Sequence, residues 1–274
     1  YLTCDEVCIP YFALLSLDQI ANQAAKWHYM FGGKMHVPLV IRLIIGRGWG
    51  QGPQHSQSLH AWFAHIPGLK VVMPATAHDA KGLLISSIED NNPVIFLEHR
   101  WLHNITGEVP EGMVRVPIGS ARVMREGTDV TIVAMSHMSL EALRAADLLA
   151  STGVMAEVID LRSLRPWDEK TVLASAQKTG RLVVAEPGWG SCGFGAEIVA
   201  RVAETSLSHL KAPPRRIAYP DCPTPTSPAL AATYYPRAFD IASAACELMG
   251  VPPPKPADDA LPRDIPDPSF TGPF

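Results

Sequence analysis

Short apolar runs of strand length alternate with amphipathic stretches of helical length along almost the whole chain, and no other feature restricts the fold as much. Residues 10–30, PYFALLSLDQIANQAAKWHYM, set apolar side chains at Leu14, Leu17, Ile20 and Ala24, a helical spacing that Gly32-Gly33 then stops. Val37 to Ile45 is nearly continuously apolar, as a strand buried on both faces is. The glycine-rich GRGWGQGP comes next, and after it a helix (HSQSLHAWFAHI), a strand (LKVVMPA), a helix (AHDAKGLLISSIED) and a strand (PVIFLEHR). Strands alternating with helices predict an α/β fold with parallel or mixed sheets covered on both faces.

Between Trp101 and Pro117 the periodicity fades into NITGEVPEGMVRVP, which reads as a linker between domains. Alternation then resumes with strands in TDVTIVAM, MAEVIDLR, RLVVAEP and RRIAYP. Helices are expected in SLEALRAADLLAS, DEKTVLASAQKT, GAEIVARVAETSL and residues 236–249. The expected division is therefore one α/β domain over 1–117, a second over 118–250, and an extended tail over 251–274 whose prolines exclude helix and central strand.

With 274 residues, 47% of them hydrophobic and 18% charged, the chain can bury two cores. A formal net charge of -4 gives no electrostatic reason to expect nucleic acid or an anionic membrane as partner. Arg42 interrupts the longest apolar run, which falls well short of the roughly 20 residues that span a bilayer. The five cysteines are scattered, odd in number and without a Cys-x-x-Cys pair, so they suggest reduced thiols rather than a disulfide framework or zinc. The first residue is Tyr1, and targeting is not legible there: the compartment is cytoplasm in a bacterium, mitochondrial matrix or plastid in a eukaryote.

Two glycine-rich turns stand between a strand and a helix, Gly46–Gly52 and Gly190–Gly195. Each suits either a phosphate held at a helix start or simply a tight turn, and neither has dinucleotide or P-loop spacing. His55 lies just past the first turn, near a helix start at the carboxyl edge of the expected sheet, where a neutral imidazole can exchange protons near pH 7. His60, His65 and His78 do not make a metal set by spacing. Asp90-Asn91-Asn92-Pro93 closes a helix and suits either a cation held by oxygen atoms or an ordinary Asx turn.

The string from VPLVIR through GWGQGPQHSQSLHAWFAHIPGLKVVMPATAHDAKGLLISSIEDNNPVIFLEHR resembles the pyrimidine-binding domain of the beta subunit of thiamine-diphosphate-dependent 2-oxo acid dehydrogenases. GTDVTIVA, AEVIDLRSLRPWD, KTGRLVVAEPGW and GFGAEI resemble, in the same order, that subunit's transketolase-like C-terminal domain. The resemblance covers about residues 10–250. It implies decarboxylation of a 2-oxo acid and reductive acylation of lipoamide by a heterotetramer of two alpha and two beta chains. The partners it implies are an alpha chain holding Mg²⁺ and the diphosphate, a second beta chain, and a lipoyl-bearing acyltransferase core.

On this resemblance His55 takes the place of the catalytic histidine and Phe12 that of the aromatic stacked on the aminopyrimidine. Leu39, Ser87, Ile88, Asp90 and Asn92 take the places of a potassium site. No Gly-Asp-Gly occurs to hold a Mg²⁺-diphosphate. The glutamate that in this family bonds the aminopyrimidine would precede Tyr1, and Glu6 lacks its context, so the chain as given is expected to be truncated and inactive alone. The alternatives are a non-catalytic, truncated assembly partner and an acetoin-cleaving or transketolase-type enzyme.

Overall fold

The computed structural model describes residues 2–8, 10–46 and 51–255, with side chains from residue 13 onward. Two five-stranded sheets carry the fold. In chain order the elements of the first half are β1 (Leu2–Cys8), α1 (Pro10–Leu15), a π-helical stretch Gln19–Ala24, α2 (Ala25–Met30), β2 (Leu39–Ile45), α3 (Gly52–His55), α4 (His60–His65), β3 (Lys70–Val72), α5 (Ala77–Ile88) and β4 (Val94–His99). The second half contains β5 (Arg122–Arg125), β6 (Val130–Ala134), α6 (His137–Ala150), β7 (Ala156–Asp160), β8 (Ser163–Arg165), α7 (Glu169–Thr179), β9 (Leu182–Trp189), α8 (Phe194–Ser206), β10 (Arg215–Tyr219), α9 (Pro228–Ala231) and α10 (Ala238–Met249).

The first sheet has the order β1-β2-β4-β3-β8 and the second β10-β9-β6-β7-β5. Both are parallel except at one edge: β8 runs antiparallel to β3, and β5 antiparallel to β7. The α/β class is as expected from the alternation. The central strands are apolar on both sides because helices cover both faces, and β6 and β7 are buried at every residue.

Helix boundaries obey side-chain chemistry. The Thr76 hydroxyl accepts the Asp79 amide at 3.1 Å to start α5, and the Asp168 carboxylate accepts the Thr171 amide at 3.0 Å to start α7. Gly180 and Gly250 end α7 and α10 in the left-handed conformation.

Four differences from the sequence expectations matter. The helix expected over 10–30 is broken into α1, the π-helical stretch and α2. HSQSLHAWFAHI splits into α3 and α4, because Ser56–Leu59 leave the helix. Short β5 and β8 add strands to both sheets that the periodicity does not predict, since three or four residues carry no readable period. Finally, β8 comes from the second half of the chain yet pairs with β3, so the second half contributes a strand to the first sheet, and the two sheets share a core as well. Leu43, Ile45, Met73 and Leu97 from the first sheet lie in one apolar cluster with Val133, Ile159, Leu161 and Val184 from the second. Of the first glycine turn, residues 47–50 lie outside the described residues, as does the tail from 256.

Candidate functional site

β1 and β2 are parallel neighbours, so their carboxyl ends open on the same edge of the first sheet. The segments leaving the two strands meet there: α1, which contains Phe12, packs beside α3, which ends in His55. The Phe12 side chain itself lies outside the described residues. The other side of α3 meets the second half of the chain, since a methyl group built on Gly52 would stand 2.7 Å from the Thr226 hydroxyl. His55 is half-buried at the end of α3, at the strand-end edge where doubly wound sheets bind ligands.

Past His55 the chain makes Ser56–Leu59 and enters α4 at His60, whose ring is buried. His60 Nε2 lies 3.1 Å from the Oε2 atom of Glu186 in β9, and both side chains are at most 2% exposed. The other carboxylate oxygen accepts the Gly195 amide at 3.1 Å, in the first turn of α8. The glycines around this pair are there for space. A Cβ on Gly188 would stand 2.5 Å from the His60 ring, one on Gly195 2.8 Å from Glu186 Oε1, and one on Gly193 would overlap the same oxygen. The second glycine turn therefore serves a carboxylate of the chain itself at the start of α8, which favours the tight-turn alternative for Gly190–Gly195.

A second buried constellation gathers strand ends from both sheets. His99, at the end of β4, stacks on His137 at the start of α6 with ring centroids 5.0 Å apart. Trp101 meets His137 edge-on at 4.9 Å and Tyr235 at 5.0 Å. The His99 Nδ1 atom accepts the Trp101 amide at 3.2 Å. Burial, reinforced by the neighbouring His137, holds His99 well below the usual histidine range. Burial, reinforced by Arg237 and Arg144, does the same to His137. Both rings are neutral at physiological pH.

A third set of polar groups ties the halves together. The Arg162 Nη1 atom donates to the Asp79 carboxylate of α5 at 3.0 Å. Burial alone would raise the Asp79 carboxyl, but the Thr76 hydroxyl and the Arg162 charge outweigh it and hold it below the ordinary aspartate range. Nearby Asp160 goes the other way. Burial pushes it up to about 7, and the Asp79 charge adds to the rise against the Ser139 and Arg162 hydrogen bonds.

Leu39, Ser87, Ile88, Asp90 and Asn92 lie at the start of β2 and around the end of α5. The Asp90 carboxylate already has a cation: the Lys70 ammonium bonds Oδ2, while the Asn92 amide and side chain bond Oδ1 at 2.9 and 2.8 Å. The Ser87 hydroxyl donates to the Leu83 carbonyl at 2.6 Å. A cavity of about 1220 Å³ opens between α4, β8 and the start of α8, with Trp62, Trp167, Trp189 and Phe194 in its walls. Sequence reasoning does not single out His60, Glu186 or the His99–His137 stack, because each is defined by a partner far along the chain.

Residues 7–104 match the family model of the transketolase pyrimidine-binding domain, and residues 119–241 that of the transketolase C-terminal domain. The chain is 49% identical over 238 residues to the beta subunit of acetoin:2,6-dichlorophenolindophenol oxidoreductase of Cupriavidus necator, covering 87% of this chain and 70% of that one. It belongs to the beta-subunit family of thiamine-diphosphate-dependent 2-oxo acid and acetoin dehydrogenases. Within that family it is 47% identical over 238 residues to the mitochondrial pyruvate dehydrogenase E1 subunit beta-2 of Oryza sativa, covering 85% of this chain and 63% of that one. For the pyruvate dehydrogenase E1 subunit beta of Rickettsia bellii the identity is 43% over 233 residues, covering 85% and 72%. A solved split-gene transketolase, described as an inactive beta4 tetramer, superposes with a TM-score of 0.68 at 26% identity over 89% of this chain and 75% of that one.

Proposed function

We propose that this chain is the beta component of an alpha2-beta2 dehydrogenase that decarboxylates a 2-oxo acid and passes the acyl group to a lipoyl group on an acyltransferase core. The observation that carries the reading is the meeting of α1 and α3 at the edge shared by β1 and β2, which offers the two helices bearing Phe12 and His55 to one ligand. That edge suits the pyrimidine end of thiamine diphosphate, with Phe12 as the residue assigned to stack on the ring. The cofactor, when bound, supplies an electron sink for the carbon that loses carbon dioxide.

His55 holds or moves a proton through an imidazole nitrogen beside the reacting carbon and again during acyl transfer to the lipoyl sulfur. The alpha chain supplies the Mg²⁺-diphosphate site, for which this sequence has no Gly-Asp-Gly. The same reading divides the chain into domains at 1–117 and 118–250 with a tail at 251–274, and it includes a potassium ion bound by Leu39, Ser87, Ile88, Asp90 and Asn92.

A second reading, acetoin cleavage, is favoured by the 49% identity to the Cupriavidus necator subunit. Reconstituting a complex that carries the complete beta chain with an alpha chain, Mg²⁺ and thiamine diphosphate, and supplying pyruvate, branched 2-oxo acids and acetoin in turn, separates the two. Turnover of a 2-oxo acid but not acetoin supports the first reading, and the reverse the second. His55→Ala is expected to lower lipoamide-dependent turnover by about 100-fold. Full activity in that variant ends the assignment of His55.

A further inference from the structure

We infer that the His60–Glu186 pair is a positioning device for His55, a latch between the two sheets that sets where the proposed catalytic histidine stands. The inference rests on the reading of His55 given above. His55 ends a four-residue helix, and α3 is too short to hold a side chain by its own hydrogen bonds. Only Ser56–Leu59 separate it from α4. The hydroxyls of Ser56 and Ser58 are buried but have no hydrogen-bond partner among the described residues, so they do not pin this stretch.

The residue at the end of that stretch is fixed. His60 is 1% exposed, opens α4, and reaches across to a carboxylate 126 residues away in β9. Glu186 is itself immobilised, because its second oxygen is bound to the first turn of α8. The space is also tight, since Gly188, Gly193 and Gly195 leave no room for a Cβ beside either partner. A carboxylate and an imidazole buried together in an apolar wall are retained at a desolvation cost, and a pair of hydrophobic residues would fill the same volume without it. Placement of the adjoining segment is what the hydrogen bond adds. On the other side, α3 abuts Thr226, so the loop bearing His55 is held against the second half of the chain at both ends.

The test uses the complex of the complete beta chain with the alpha chain, Mg²⁺ and thiamine diphosphate, assayed with pyruvate and with acetoin and with free lipoamide as acceptor. His60→Ala is expected to lower kcat about ten- to a hundredfold, the scale of a displaced catalytic group, with KM changed less than about twofold. His60→Gln, which can still donate to Glu186, should recover most of that loss and guards against a variant that merely fails to fold. The decisive readout is the coupling with His55. A residue that acts through His55 has nothing to add once the imidazole is gone, so H55A/H60A should turn over no more slowly than H55A. If His60→Ala costs the same factor in both backgrounds, or costs nothing in either, the latch is overturned while the reading of His55 stands. If H55A is itself fully active, the reading of His55 fails, and the latch with it.

Discussion

Replacing Asp160 by Asn isolates one buried charge on which the stability of this chain depends. Asp160 is fully buried at the carboxyl end of β7, with Oδ1 accepting the Ser139 hydroxyl at 2.9 Å and the Arg162 amide at 3.2 Å. Oδ2 is buried with no partner among the described residues. Its pKa near 7 stands about three pH decades above the ordinary aspartate value of 3.8. An acid raised in the fold contributes its full stability below the unfolded value and loses it as pH rises to the folded one. The loss runs from about pH 4 to about pH 7, at roughly 1.4 kcal/mol per decade, and approaches about 4 kcal/mol at its end. Asparagine keeps the Oδ1 acceptor and cannot ionise. Stability from urea unfolding, measured for both proteins at pH 5 and pH 8, should therefore shift in favour of Asp160→Asn by on the order of 2–3 kcal/mol between the two. Groups common to both proteins cancel in that difference. A difference that does not change with pH would refute the assignment of a neutral, desolvated Asp160.

The buried histidines act in the opposite direction. Because His99 and His137 are held neutral in the fold, their contribution is complete above about pH 6.5 and is lost as pH falls below it, so His137→Phe should flatten the acid limb of the stability curve by up to about 1.4 kcal/mol per pH unit. An unchanged acid limb in denaturation curves from pH 5 to 7 would count against it. Gly188→Ala places a methyl group 2.5 Å from the His60 ring and should cost about 1–3 kcal/mol, read from a melting curve; an unshifted curve would show that the ring has room to move. For the proposed potassium site, the Lys70 ammonium already serves Asp90, so Lys70→Met is expected to make the melting temperature more sensitive to potassium than that of the wild type. Equal responses of both proteins to potassium and to a bulky organic cation would leave only an Asx turn.

How much of the fold is legible in the sequence depends on where the information lies. Strands such as Val130–Ala134 and helices such as His137–Ala150 announce themselves through their own periods, and the α/β class comes from them. Pairing across the molecule does not announce itself. β8 has three residues, too few for a period, and its partner β3 lies some 90 positions earlier. The break between α3 and α4 is hidden for a related reason: HSQSLHAWFAHI keeps helical spacing in its apolar residues, while buried His60 is drawn toward Glu186 rather than toward its own helix. Local propensity gives way to a tertiary contact.

The second glycine turn shows the same limit in the candidate site. Gly188, Gly190, Gly193 and Gly195 at a helix start are what an approaching anion requires, and the residues alone admit both a phosphate and a tight turn. The anion is Glu186, only two residues before the first of these glycines. A carboxylate that occupies the α8 start removes that helix from the set of places where a bound diphosphate can find backbone amides. On the proposed reading, it is the pyrimidine end of the cofactor that the edge beside α1 and α3 receives. A diphosphate site made by a partner chain is consistent with both observations, and the reconstitution with an alpha chain tests them together.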